Sequence, residues 1–243
     1  GSPRPANAPA MMGPFPPTLI RSTTSSRLVL RPAAERGHVN HGWLDAYHTF
    51  SFGNYYDPKH MGFRSLRVIN EDRVSPGKGF GAHGHRDMEI ITYVLAGAIT
   101  HQDSMGNASV IRAGNVQRMS AGTGVMHSEH NRDSTLTTHM LQIWITPQQL
   151  AIEPGYEERL IDDAARRGRL ALIASGSAQE DAVRIHQDVR LWAGRFDGTE
   201  SERRELASER QCYVHVARGA IEVNGTALDA GDAAMLVRES ELR

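Results

Sequence analysis

The chain has 243 residues, enough for one or two domains at roughly 100–200 residues each. Hydrophobic residues make up 40% and charged residues 23%, which supports a packed core and excludes a mostly disordered chain. A net charge of −1 lacks the basic footprint of nucleic-acid binding, the one cysteine (Cys212) excludes an intramolecular disulfide, and no apolar run is long enough to span a membrane.

The expectation is therefore a cytoplasmic protein with no direct nucleic-acid partner and no membrane partner. Residues 1–26 hold more than half of the eleven prolines and show no periodic apolar pattern. They read as a flexible tail. Gly1-Ser2 resembles an expression remnant, and Met11 or Met12 could be the natural start. Pro14, Pro16 and Pro17 break up the early apolar stretch, which makes it a poor signal peptide.

From Leu28 onward the chain reads as strands. Short aliphatic and β-branched stretches fall at 28–30, 66–69, 90–95, 109–111 and 140–145, with Gly, Pro, Asn and Asp between them. Short strands at regular spacing predict an all-β sandwich or barrel. The best helix candidate is 157–169, between the two halves.

The second half repeats the first. VLAGAI at 94–99 returns as VARGAI at 216–221, and RAGN at 112–115 returns as DAGD at 229–232. The interval from Gly97 to Gly114 is longer than that from Gly219 to Gly231, so the later hairpin is shorter, and Asn224-Gly225 inside it is a two-residue turn signal. Two similar β-units follow: an N-terminal one over 27–150 and a C-terminal one over 151–243.

Most of the twelve histidines are expected to be ordinary surface or hydrogen-bonded residues. Four residues stand out by spacing. His83 and His85 lie two apart, as do His127 and Glu129, and on a strand each pair projects from one face. Two antiparallel strands in a narrow barrel could aim all four at one point. Three imidazoles and a carboxylate suit one divalent transition metal and would hold calcium poorly. Fe(II) is the first expectation, with Mn, Co, Ni, Cu and Zn as alternatives. Glu89 shares the parity of His83 and His85, so it is expected to face the interior as an alternative ligand or a partner orienting a histidine. Spacing alone does not choose between Glu89 and Glu129.

Gly81-x-His83-x-His85-x-x-x-Glu89 with Gly97 resembles the first cupin motif, and Gly114, Gly122 and His127 resemble the second. The longer strings HTFSFGNYYDP (48–58), HQDS (101–104) and MSAGTGVMHSE (119–129) are similar to those of the pirin family. The match is continuous over about 36–144 and weaker beyond. The resemblance implies an all-β bicupin of two double-stranded β-helix (jelly-roll) barrels with few short helices. It also implies a metal in the N-terminal barrel alone, bound by His83, His85, His127 and Glu129, which favours Glu129 over Glu89.

The second copy agrees with a single site. Offsets carried back from Gly219 land on Glu205 and Ala207 in place of His83 and His85. The chain also departs from the family by ending early, so the C-terminal barrel is expected to be truncated and without a metal site.

The activity that the resemblance implies is that of a quercetin 2,3-dioxygenase. Such an enzyme opens the flavonol ring with O2 and releases carbon monoxide, with a small planar aromatic substrate and Glu129 as the base. The alternative is a non-enzymatic, redox-responsive transcription cofactor that binds metal and works through a protein partner. A metal isomerase or hydrolase is a third reading. His38, His41, His48 and His101 lie in family-like strings and either line the pocket mouth or anchor loops. Phe50, Phe52, Tyr55 and Tyr56 form either an aromatic wall or plain core. Cys212 is expected to be buried and inert.

Overall fold

The structure is a computed structural model that describes Ser25 and residues 27–177 and 181–243. The expected tail, Ser25 apart, lies outside the described residues. Among the described residues, no helix is long and apolar enough to cross a membrane.

The N-terminal unit is built from β2 (Gly37–Asn40), β3 (Leu44–His48), β4 (Leu66–Val74), β5 (Gly79–His85), β6 (Glu89–Ala96), β7 (Ala98–Asp103), β8 (Ala108–Arg112), β9 (Asn115–Ser120), β10 (Val125–His130), β11 (Thr138–Ile145) and β12 (Gly155–Leu160). A seven-stranded sheet in the order β12-β9-β6-β11-β4-β3-β2 faces a four-stranded sheet in the order β5-β10-β7-β8. The long central strands β4, β6 and β11 read as nearly unbroken buried runs, and both faces of this sheet are covered.

One face of the large sheet lines the barrel. Val74, Val94 and Met140 on it join Leu44, Ala46, Ile99 and Ile111 in a core. The other face carries Ile69, Ile91, Leu141, Ile143 and Ile145 against Ile173, Val183 and Ile185 of the C-terminal unit. Each such aliphatic side chain, fully removed from water, stabilises the fold by about 1.5–3 kcal/mol.

The C-terminal unit contains a short helix α1 (Asp163–Arg166) and strands β13 (Leu170–Ser175), β14 (Val183–Arg184), β15 (Arg190–Gly194), β16 (Arg204–Glu205), β17 (Gln211–His215), β18 (Ala220–Val223), β19 (Thr226–Asp229), β20 (Ala233–Val237) and β21 (Glu241–Leu242). It has its own core of Val216, Val223, Leu228, Ala234 and Leu236. Cys212 packs on this core, and burial pushes its thiol up to about 11, so it is unreactive at neutral pH. Two strands lie across the boundaries read from the sequence. The first strand, β1 (Arg27–Arg31), pairs with β20 of the C-terminal unit, and β12 pairs with β9 of the N-terminal one.

The repeat is visible in the backbone. Gly114 N–H donates to the Val94 carbonyl at 3.0 Å, and the equivalent Gly231 N–H donates to the Val216 carbonyl at 2.7 Å. Both glycines, like Gly97 and Gly219, have positive φ, so the same left-handed corner is used twice. Asn224 and Gly225 both have positive φ between Val223 and Thr226, the two-residue hairpin turn that their sequence predicts.

The helix expected over 157–169 is corrected. Its first part is β12, with Glu157, Glu158 and Arg159 opposite Arg118, Gln117 and Val116. Helix remains only at Asp163–Arg166, where the Asp162 side chain caps the Ala164 N–H. The open edge of β9 offers β12 a full ladder, and Arg118 and Ser109 pair with Glu157 and Glu158, so tertiary partners override helix propensity.

Candidate metal centre

β5 and β10 are antiparallel neighbours, with His83 directly opposite His127 and His85 opposite Val125. The alternation of each strand sends His83, His85 and His127 to one point inside the barrel. His127 Nε2 lies 2.9 Å from His83 Nε2 and 3.0 Å from His85 Nε2. A nitrogen that meets two others at such distances can share a proton with only one of them. The three lone pairs therefore suit a Lewis acid better than one another. Two nitrogens bound at right angles about 2.1 Å from one ion would be roughly 3 Å apart, so the spacing fits a metal.

The protonation states fit as well. Burial, with the neighbouring imidazoles, lowers His85 to about 4 and His127 to about 2, so both are neutral and ligand-competent. The His83 Nδ1 sits 2.7 Å from the Gly81 carbonyl; donating its proton there leaves Nε2 free for a cation.

Glu129 stands one step deeper. Between His127 and Glu129 the ladder slips, so that Glu129 lies opposite Phe80. Glu129 clusters with His127 and His101, their potential ligand atoms lying within 4.8 Å of one another, as do those of His83, His85 and His127. The two groups share His127. The Glu129 carboxylate is fully buried and accepts from Thr92 Oγ1 at 3.2 Å and from Gln142 Nε2 at 2.6 Å. Burial raises it to about 7 against the pull of those two hydrogen bonds.

Glu89 does not face this site, which corrects the parity reading. Thr92 on β6 points into the barrel and bonds Glu129, whereas Glu89 lies on the opposite face with Ile91 and Tyr93. There its carboxylate accepts from Ser120 Oγ at 2.8 Å and meets His186 Nδ1 of the C-terminal unit at 3.0 Å. Parity counts only along one strand. Here β5 ends at His85, and Asp87, with φ of 50°, turns the chain before β6 begins.

Trp144, Gln142 and Thr92 stand at the site and were not singled out by sequence. The Trp144 ring lies 5.1 Å from that of His85, and its Nε1 donates to Gln142 Oε1, which ties it to Glu129. Strand alternation with Gln142 was the signal that could have found it. Of the four aromatics in the 48–58 string, only Phe52 reaches this wall, edge-on to Trp144. Phe50 is core, Tyr55 takes a hydrogen bond from Arg31, and Tyr56 is exposed. His48 is buried against Asn70, His38 stacks on Tyr47 and His41 is exposed. His101 is fully buried and touches His127.

The family model described as Pirin matches residues 29–145, and that described as quercetinase C-terminal cupin domain matches residues 172–243. A quercetin 2,3-dioxygenase of Escherichia coli strain K12 is 48% identical over 84% of this chain and 87% of its own. The chain belongs to the pirin family. Among solved pirin relatives, YhhW from Escherichia coli superposes with a TM-score of 0.85 at 45% identity, over 89% of this chain and 91% of that one. Bacterial pirin YhhW in complex with nickel(II) gives 0.84 at 44% identity, over 89% and 92%. The all-β, two-unit architecture of this chain is thus the pirin bicupin fold.

Proposed function

We propose that this pirin-family chain is a metal-dependent quercetinase, with His83, His85, His127 and Glu129 as the ligands of one divalent transition metal. The convergence of three imidazole nitrogens on one point carries this reading. The relative that is 48% identical and named quercetin 2,3-dioxygenase supports the substrate class, and the nickel(II) complex of YhhW supports the metal. A bound transition metal would supply Lewis acidity and redox capacity toward a flavonol oxygen and dioxygen.

The protein's own part is to bind, orient and keep water out. Trp144 and Phe52 offer an aromatic wall beside His85 for a planar ring. Glu129, a buried carboxylate beside His127, is placed to take a phenolic proton from a substrate hydroxyl. Thr92 and Gln142 hold that carboxylate in place.

The test is oxygen-dependent bleaching of quercetin, with carbon monoxide measured, after separate loading with Fe, Mn, Co, Ni and Cu. Turnover lost in His83→Ala together with metal content is the expected result. Absence of turnover with every metal would reject the enzyme and favour the non-enzymatic reading. Activity that survives His83→Ala would reject the ligand set.

A further inference from the structure

The geometry points to Asp103 and His101 as a positioning pair for His127: Asp103 fixes the tautomer of His101 so that the His101 Nδ1 lone pair faces the Nδ1–H of His127. The inference rests on the reading of His127 as an Nε2 ligand and extends it outward by two residues.

Strand β7 lies against β10, with Asp103 directly opposite His127 and His101 directly opposite Glu129. All four side chains point inward, so they form a two-by-two block on the barrel wall. His101 Nε2 and Asp103 Oδ2 are 2.7 Å apart, and both side chains are wholly shut off from solvent. The Asp103 carboxylate is itself held by the Met105 N–H at 2.9 Å, the Asn107 N–H at 3.1 Å and the Asn107 side-chain amide. A carboxylate so placed accepts; the His101 proton therefore sits on Nε2, and Nδ1 is left as an acceptor.

Two buried atoms in this block lack a hydrogen-bond partner, and they are His101 Nδ1 and His127 Nδ1. Their rings are 5.4 Å apart between centroids. With Nε2 of His127 turned to His83 and His85, its proton belongs on Nδ1, where it needs an acceptor. Glu129 does not take it: its oxygens accept from Thr92 and Gln142, and the Nδ1 of His127 has no hydrogen bond to either. Small rotations of two rings would close Asp103···His101···His127 into a single chain that fixes ring orientation and raises the basicity of the ligating nitrogen. A metal-binding histidine whose other N–H is held in this way typically binds its metal 10–100-fold tighter.

Two measurements on the full chain decide it. In the metal-free protein, long-range 15N–1H correlation is expected to show His101 protonated on Nε2 and His127 on Nδ1. Nickel(II) competition titration is then expected to show Asp103→Asn and His101→Phe each weakened about 10–100-fold. The double variant should be no weaker than the weaker single one, since the pair acts as a unit. Asp103 also braces the 103–107 turn, so His101→Phe, which leaves that turn intact, guards against simple unfolding of the first variant. A proton on Nδ1 of His101, or nickel(II) bound as tightly by His101→Phe as by the parent, would overturn the pair. Should the parent bind no nickel(II), the ligand assignment would fail, and the tautomer measurement would still decide the pair.

Discussion

Glu89 and His186 meet at 3.0 Å across the seam between the two units, with the Glu89 carboxylate wholly buried and its other oxygen taken by Ser120. The glutamate that spacing left as an alternative to Glu129 is thus a tie between units.

That placement separates two outcomes cleanly. Glu89→Gln is expected to retain full metal stoichiometry while losing about 1.5–3 kcal/mol of stability, the value of a hydrogen bond to a charged group. Denaturant unfolding and metal analysis on the same sample check it. Loss of metal in Glu89→Gln would return Glu89 to the ligand set.

The pH dependence of the metal-free protein follows from two buried acids. Burial, with the charges of Glu129 and Glu71 nearby, raises Asp72 to about 8, and burial raises Glu129 to about 7. Between their ordinary values near 4 and these raised ones, the folded state holds more protons than the unfolded state. The contribution of these two acids to stability therefore falls as pH rises through that window. Above pH 7 the imidazoles lowered by burial, His85, His127 and His215, are neutral in both states and contribute no slope, so the melting temperature of the metal-free protein is expected to be lower at pH 8.5 than at pH 7. Asp72→Asn should flatten the slope and add at least ~1 kcal/mol at pH 8.5. A flat profile in the parent chain would refute this.

Local patterns and distant partners were not equally legible in the sequence. His83, His85 and His127 could be read because a two-residue period on a strand is a purely local rule, and the strands that carry them proved regular there. The repeat that carries Gly114 and Gly231 was legible because the same short strings recur along the chain; that both turn in the left-handed region is seen only in the backbone. Glu89 was misread because the rule was carried across the turn at Asp87, where it has no force. Strand β12 was misread as helix because its partner β9 is distant in sequence. The pairing of Asp103 and His101 with His127 depends on β7 lying beside β10, which no local pattern states.

Trp144 should report on the site directly. Its ring is 5.1 Å from that of His85, whereas Trp43 packs on Phe80 and Trp192 lies under Arg204. A bound paramagnetic ion such as nickel(II) or copper(II) is expected to quench tryptophan emission, and Trp144→Phe should remove most of that quench. An unchanged quench in Trp144→Phe would place the ion elsewhere.

Two glycines of β5 test how closely the strands must approach for Glu129 to reach its position. A Cβ on Gly79 would fall 2.3 Å from the Glu129 carbonyl oxygen and 2.5 Å from the His130 Cα. Both are backbone atoms of β10, so the strand itself must move, and the slip that sets Glu129 opposite Phe80 moves with it. Overpacking of this kind costs about 1–3 kcal/mol. Gly81, on the same strand, would meet nothing within 4 Å. Gly79→Ala is therefore expected to lower both stability and nickel(II) affinity, while Gly81→Ala leaves both near those of the parent. Thermal unfolding and metal titration of the two variants side by side provide the check. Equal tolerance at both positions would mean that β10 can shift without cost to Glu129, and that the close approach of the strands does not set the site.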